Sequence, residues 1–537
     1  MRDKMTNFAV LNNKRENMAI ERGRLYPYGR QIFSDVRESS LVYVDKTEYV
    51  YELVHDAPPY LFLNRPRGFG KTLLLTTLRS YFEGRRELFK GLAIERLERE
   101  WKPYPVIFLQ MSGGVFDSEE KLRRFLEWRL RNIARKFGID DFGEDGRGDL
   151  ETLIRRVREK TGEEEVVLVD DYDKALVDFY VAQEVRDRLK RILWNFYIPL
   201  KTCGEHLHFV LMTGLTRLSL MDIFGELNSL INIGMYDKYL GMCGITREEI
   251  EGQLGEDVEI LAGKIGKTRE ETVEMMSEYY GGYRFGWPSP EVFNPYGVLD
   301  AFVRGKISAS RFNGFTPTYI VDVFRENGIS LPDLCGRECV SGDIDAPAER
   351  LSDTLPLIYQ SGYLTIKDCD EMFSLYTLDI PNKETRASLV RSLWGNYVED
   401  IFKMDEMVMT VEDLMDDGDM EGALEEMRTG MTKLRYRKEA TTERHYQQLI
   451  GLALMMMERH LETEVRTPRG WVYAMVKTRT RLYEMEVKMS KEAEAPMEWD
   501  MRGYGERFSG CGLPRVKVRI DFDCDNHTIG NWQTGEA

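Results

Sequence analysis

Between Tyr26 and Asn232, short uninterrupted apolar runs alternate with longer stretches of helical periodicity. The runs are Tyr60–Asn64 (YLFLN), Pro105–Leu109 (PVIFL), Val166–Val169 (VVLV) and His208–Met212 (HFVLM). They lack the polar alternation of a half-solvated strand, so they predict strands covered on both faces, as in a parallel sheet. Helical patterns over Thr72–Phe82, Glu119–Phe137, Asp149–Lys160 and Val185–Tyr197 separate them. That order predicts an α/β layered domain. Within Lys121–Lys136 the spacing assigns Leu122, Phe125, Leu126, Trp128 and Ile133 to the inward face.

Beyond this block the pattern changes. Residues 1–25 are polar and read as a loose arm, followed by the α/β core over 26–245. Residues 246–398 are helical segments broken by Gly and Pro turns, including the aromatic-glycine cluster Tyr279–Gly286 (YYGGYRFG). Residues 399–437 are acidic and helical, and read as a solvated connector. The last block, 438–537, opens with a helix at Glu443–His460. Strand-like pieces follow around Val472–Val476, Leu482–Val487 and Val516–Ile520, suggesting a second, smaller α/β unit.

At 537 residues the chain exceeds what one hydrophobic core supports, and its 42% hydrophobic and 31% charged residues fit a globular rather than a disordered protein. The net charge of −17 opposes polyanions on average, so contact with nucleic acid would need a local basic patch. Seven scattered cysteines without a C-x-x-C pair, and only six histidines, argue against a zinc site or a disulfide framework. No apolar run is long enough to span a bilayer, and the N-terminus has no apolar signal core, so a cytoplasmic location is expected.

The strongest chemical signal is Arg65-Pro-Arg-Gly68-Phe-Gly70-Lys71-Thr72, directly after the first strand and opening the first helix. Polyphosphate binding uses backbone N–H groups at a helix N-terminus, a Lys reaching the terminal phosphates and a hydroxyl on Mg²⁺. Arg65 stands where such a loop usually begins with glycine, so the chain must turn there without positive φ. About a hundred residues on, Val166–Val169 ends in Asp170-Asp171, the pattern of a Walker B strand. Asp170 would hold Mg²⁺ through water, and Asp171 would orient the attacking water. The fourth strand ends at Thr213-Gly-Leu-Thr-Arg217. Thr213 is either a γ-phosphate sensor or an ordinary strand-end hydroxyl, and Arg217 either a finger acting on a neighbouring copy or a contact in cis.

On these stretches the sequence resembles the prokaryotic AAA-ATPase-like proteins that carry a C-terminal PD-(D/E)XK nuclease-superfamily domain. The resemblance covers Tyr26–Val50, Phe62–Gly84 and Val166–Leu176, and continues in order to IPNKETRASL near residue 389. It implies a P-loop NTPase parallel sheet with helices on both faces, a helical, winged-helix-like subdomain, and a small α/β restriction-endonuclease-like domain. It also implies ATP and Mg²⁺ as ligands, with Arg65, Gly68, Gly70, Lys71, Thr72, Thr213 and Arg217 around the nucleotide. Relatives share the Arg at position 65 but resemble Asp-Glu at the Walker B pair. Aspartate is shorter by one methylene, roughly 1.5 Å, and a misplacement of that size can cost about a hundredfold in rate. Slow hydrolysis is therefore expected.

In the C-terminal block, Glu486-Val-Lys488 supplies an E-x-K on an alternating strand, with both side chains on one face. Relatives resemble R-T-x-x-G-R-x-D on the preceding strand, where this chain has Trp471 and Tyr473. The metal-binding Asp is thus replaced by a phenol, a poor ligand for a hard cation. The resemblance assigns Glu486 as metal ligand and catalytic residue and Lys488 as the catalytic lysine that polarises or orients the nucleophile; Glu498 or Glu484 could substitute for the lost carboxylate, and Glu443 is either a further acidic contributor or a helix-start charge. A fold that has lost cleavage is expected, with nucleic-acid binding through Arg466, Arg469, Lys477, Arg479, Arg481, Lys488 and Lys491; a solvated sheet edge explains those charges equally. Two alternatives stay open: a nucleotide-gated protein-binding switch, and a nuclease that is still active. Oligomerisation is compatible with either.

Overall fold

The computed structural model describes residues 24–143, 148–177, 182–218, 230–308, 316–348, 354–437, 443–457, 462–466, 471–489, 505 and 508–536. It divides into two compact units, Met1–Ser308 with Val340–Leu375, and Ala309–Cys339 with Tyr376–Ala537. The helical region 246–398 is therefore shared between both. Most of the expected N-terminal arm lies outside the described residues. Its last two residues are held, Arg24 by the Asp257 carboxylate and Leu25 by the Val42 N–H.

The first unit is built on strands β1 (Tyr60–Asn64), β2 (Val106–Gln110), β3 (Glu165–Asp170), β4 (Leu207–Gly214) and β5 (Ile231–Asn232). Their order is β2-β3-β4-β1-β5 and every pair is parallel. Alternate residues leave the sheet on opposite sides. Phe62, Ile107, Val167, Val169, Val210 and Met212 join one core, with helices α2 (Glu119–Lys136), α3 (Leu150–Thr161) and α4 (Gln183–Tyr197). Leu61, Leu63, Val166, Leu168, Phe209 and Leu211 join the other, under α1 (Lys71–Phe82). Both faces are covered, which is why the sequence shows unbroken apolar runs. The helix α5 (Pro295–Arg304) follows, with Asn294 capping its first turn.

One inward assignment on α2 is corrected. Leu122, Leu126, Leu130 and Ile133 form the buried stripe, whereas Trp128 is 55% exposed with Arg129 against its ring. Trp128 sits two residues from Leu126 and Leu130, on the opposite side of a helix with 3.6 residues per turn.

The second unit carries β6 (Glu462–Arg466), β7 (Trp471–Lys477), β8 (Leu482–Lys488), β9 (Arg515–Asp523) and β10 (Thr528–Glu536) in sequential order. The β8–β9 pair is parallel and the others are antiparallel. Helices α6 (Ile401–Asp416), α7 (Met420–Thr432) and α8 (Glu443–Met456) complete it. The segment expected to be a solvated connector differs from that expectation. Most of its acidic residues are exposed or half-buried, while Met404, Met407, Val411, Met415, Leu424, Met427 and Met431 are buried and Glu412 with them. Tyr483 donates to the Met415 carbonyl and Trp532 to Glu421, so α6 and α7 belong to this unit's core.

Glu165 opens β3 fully buried, and neither carboxylate oxygen has a hydrogen-bond partner among the described residues. Burial pushes its pKa from the ordinary 4.5 up to about 8. The folded state therefore holds a proton that the unfolded state releases, and stability falls as the pH rises from about 4.5 to about 8. Glu165→Gln should remove that dependence. Thermal melts from pH 5 to pH 8.5, on the order of that titration window, should show a stabilisation by the variant that grows with pH; a constant difference would contradict the buried-carboxyl assignment.

Candidate functional site

The carboxyl ends of β1 and β3 lie at one edge of the sheet, and the chain leaving β1 turns sharply into α1. Gly68 and Gly70 take φ of +82° and +95°, which only glycine adopts without strain, and Gly70 is the N-cap of α1. Arg65 turns without positive φ, as its residue type demands. The loop is clamped from beneath: the Phe69 ring packs edge-on against Tyr283 and Phe285, and its carbonyl accepts from the Gly244 N–H. The YYGGYRFG cluster thus acts here as packing under the loop, and none of Tyr279–Gly286 lines the loop's cavity.

A cavity of about 430 Å³ opens over this turn. Arg67, Gly68, Gly70, Lys71, Thr72 and Asp171 line it, together with Tyr28, Arg30 and Tyr296. The Lys71 ammonium donates to the carbonyls of Arg65 and Pro66 at 2.8 and 3.1 Å. The Thr72 hydroxyl donates to Asp170 Oδ2 at 2.8 Å, joining the loop to β3 across 98 residues of sequence. Asp170 is fully buried behind that hydroxyl, and Thr213 donates to its other oxygen at 3.1 Å. Burial, and then the neighbouring Asp171, hold the Asp170 pKa above the usual carboxylate range. Asp171 sits on the cavity wall with φ of +54°, a conformation Asp tolerates better than most residues.

Three expected nucleotide contacts lie off the cavity wall. The Arg65 guanidinium is buried, donates to the carbonyls of Gly234 and Tyr239, and lies 4.2 Å from the centre of the Phe285 ring. It anchors the loop and presents only its carbonyl to Lys71, because its partners lie behind the turn. Arg217 donates to the carbonyl and carboxylate of Asp345, at 2.8 and 3.2 Å, and its N–H donates to Gln360. Neither side chain lines the cavity. Thr213 is likewise absent from the wall and acts on Asp170.

The sequence reading did not single out Asp173. It is buried and accepts from the N–H groups of Leu215 and Thr216 and from the Thr216 hydroxyl, at 3.0, 2.7 and 2.9 Å. It ties the loop after β3 to the end of β4. Burial raises its pKa, and the three donors oppose that shift.

In the second unit, the strand registers place Tyr473 opposite Glu486, and Glu486 opposite Arg519. Glu486 accepts from Arg519 at 3.0 Å and pairs with Lys517 at 3.2 Å. Burial and the Glu486 charge push the Tyr473 phenol up to about 12. Lys488 lies 5.7 Å from the Trp471 ring centre, and Trp471 stacks on Tyr473. E-x-K and Tyr473 do share a face, but two cations already neutralise Glu486. Among the described residues no group of three His, Cys, Asp or Glu is placed to hold a metal. Glu484 approaches Lys517 at 3.8 Å, Glu443 begins α8, and Glu498, Arg469 and Lys491 lie outside the described residues.

Residues 27–224 match the AAA-ATPase-like family, described as a predicted AAA-ATPase. The matched region contains the glycine turn, Asp170–Asp173 and Arg217. A protein of Azotobacter chroococcum mcd 1, described as an uncharacterized protein in the vnfD 5′ region, is 27% identical over 517 residues, covering 94% of this chain and 97% of that protein. That similarity extends through the second unit, which the family model does not reach. Among solved structures, a Walker-type ATPase of Pyrococcus abyssi is similar with a TM-score of 0.36 and 14% identity, over 66% of this chain and 97% of that one. No helix among the described residues is long and apolar enough to cross a membrane.

Asp173→Ala would leave three buried donors without an acceptor. It should lower stability by about 2–4 kcal/mol in urea denaturation of the full chain; a loss below about 0.5 kcal/mol, the usual range for surface changes, would contradict the role assigned to it.

Proposed function

We propose that the chain is an ATP-binding P-loop ATPase of slow turnover, joined to a nuclease-like unit that binds nucleic acid without cutting it. The observation that carries the first part is the bond between the Thr72 hydroxyl and Asp170 beneath a glycine turn that opens a cavity. In this reading the main-chain N–H groups of 68–72 and the Lys71 ammonium take the β- and γ-phosphates. The Thr72 hydroxyl and the Asp170 carboxylate are hard oxygen donors, and two of them suit Mg²⁺, which completes its shell with phosphate oxygens and water. Mg²⁺ so held would neutralise charge on the transferring phosphoryl group. Thr213 keeps Asp170 turned toward Thr72. Asp171, on the cavity wall, orients the attacking water, and its short side chain makes hydrolysis slow.

For the second unit the support is the resemblance together with the geometry around Glu486. A carboxylate bracketed by Lys517 and Arg519 and facing a neutral phenol has the wrong neighbours for a two-metal centre. The same cations, with Lys488 over Trp471, are suited to a phosphate backbone. The ATPase would then govern when that face is engaged.

Mg-ATP titrated calorimetrically into the wild type should bind, and Lys71→Ala should weaken it at least about tenfold, or about 1.4 kcal/mol. Asp171→Glu should raise the single-turnover hydrolysis rate by about ten- to a hundredfold; an unchanged or lower rate would contradict the role given to Asp171. Incubation of the protein with Mg²⁺ or Mn²⁺ and DNA or RNA should leave the polymers intact. Cleavage that disappears in Glu486→Ala would establish a working nuclease instead.

A further inference from the structure

At one end of the first unit's sheet, β2 has a single neighbour, β3, so its other side is an open edge among the described residues. The Val166 N–H donates to the Pro105 carbonyl and the Met111 N–H to the Asp170 carbonyl, which fixes the phase of the pairing. Main-chain groups of the odd-numbered residues face β3, and those of Val106, Phe108 and Gln110 point away from it. None of these outward N–H and C=O groups has a hydrogen bond among the described residues. Another cavity, of about 330 Å³, lies along this edge. We propose that an extended peptide segment of a partner protein, alternating apolar and acidic residues, docks there as a further strand of the sheet. The inference stands apart from the phosphate-site reading.

The strand itself supplies the first argument. An open edge is a template for pairing with another chain, and proteins usually blunt it with a charge, a proline or a bulge. Val106–Gln110 (VIFLQ) contains no charged residue and no proline, and its register with β3 is unbroken. What shelters it instead are the ends of two helices from opposite faces of the sheet. Arg79 and Glu83 at the end of α1, and Ile133 and Lys136 at the end of α2, line the cavity together with Val106 and Phe108. A groove between two helix ends admits a single strand, whereas a second copy presenting the same edge would bring its own helix ends against these. The volume is at the small end of ligand sites, about 300–1,000 Å³, which suits a chain lying along a groove with its outer side in water.

Polarity and charge supply the second. Successive side chains of an added strand point to opposite faces of the sheet. On the α1 side they meet Tyr104 and Phe108, which pack against the core of that face. The cation there is already held: Arg79 donates to Glu83 at 2.6 Å and lies 5.7 Å from the centre of the Phe108 ring. That side takes apolar residues. On the α2 side stands Lys136, whose ammonium has no hydrogen bond or ion pair among the described residues. Burial, and then the Arg79 charge, hold its pKa below the usual lysine range, and a carboxylate brought beside it favours the charged form. That side takes acidic residues. The alternation asked of the peptide follows from the two unlike sides of one groove.

Fluorescence anisotropy of the full chain tests this with two labelled peptides of about eight residues, within the usual strand length. One alternates valine and glutamate, the other valine and lysine. The chain carries a net charge of −17, so non-specific attraction favours the lysine peptide. The glutamate peptide should nevertheless bind at least about tenfold more tightly. Lys136→Glu, at an exposed position, should reverse that order, and the reversal also reports a folded variant. Methylating every main-chain nitrogen of the glutamate peptide should weaken it at least about tenfold. Hydrogen exchange should show new protection within Val106–Gln110 when the unmethylated peptide binds. No binding of the glutamate peptide up to about 1 mM, a preference for the lysine peptide in the wild type, or a preference that Lys136→Glu leaves unchanged overturns the proposal. So does a methylated peptide that binds as well as its parent. Protection of Val106–Gln110 that grows with protein concentration in the absence of peptide would make a second copy the occupant, and overturns it too.

Discussion

A single hydrogen bond, from the Thr72 hydroxyl to Asp170, joins two segments far apart in sequence, and the rest of the first unit can be seen as the means of making it. Two parallel strands, β1 and β3, must end at the same edge of one sheet with β4 between them. Gly68 and Gly70 must take left-handed φ so that α1 starts at that edge. A slip of β3 by one residue would turn Asp170 to the other face of the sheet and put Val169 against the threonine. Unbroken burial of Val166–Val169 prevents this, because alternate residues feed two separate cores that both need their full complement.

Around that bond the structure uses carboxylates as fasteners as well as reactive groups. Asp173 closes the loop after β3 onto β4, and Asp345 holds Arg217, also accepting from Asn232 at 2.9 Å. Phe69, wedged among Tyr283 and Phe285, and Arg65, spread over carbonyls behind the turn, brace the glycine loop from below. A glycine loop without such bracing would lose the ordering entropy of its flexible residues each time a ligand bound.

The sheet and the turn were legible from the sequence for a physical reason. Strands buried on both faces carry no polar residues, and a phosphate loop needs glycine, lysine and threonine at short, local spacing. What depended on tertiary approach was not legible. Nothing local indicates that Pro27–Gln31 and Pro295, Tyr296 and Leu299 wall the cavity, or that the Arg65 side chain turns away from it. The two-residue strand β5 is too short to leave a pattern. In α6 and α7 the dense acidic residues masked a methionine stripe that only packing reveals. In the second unit the register of Tyr473 with Glu486 follows the count along the strands, but the cations that reach Glu486 come from β9, whose alternation did not announce a site.

The central claim is that the turn between Asn64 and Thr72 wraps a triphosphate. Hydrogen–deuterium exchange of the full chain, with and without Mg-ATP, tests it most directly, because main-chain N–H groups that bind phosphate become protected. The account predicts protection concentrated at residues 66–73 and at the end of β3. Unchanged exchange in those segments at saturating Mg-ATP, or protection confined to the second unit, would contradict it.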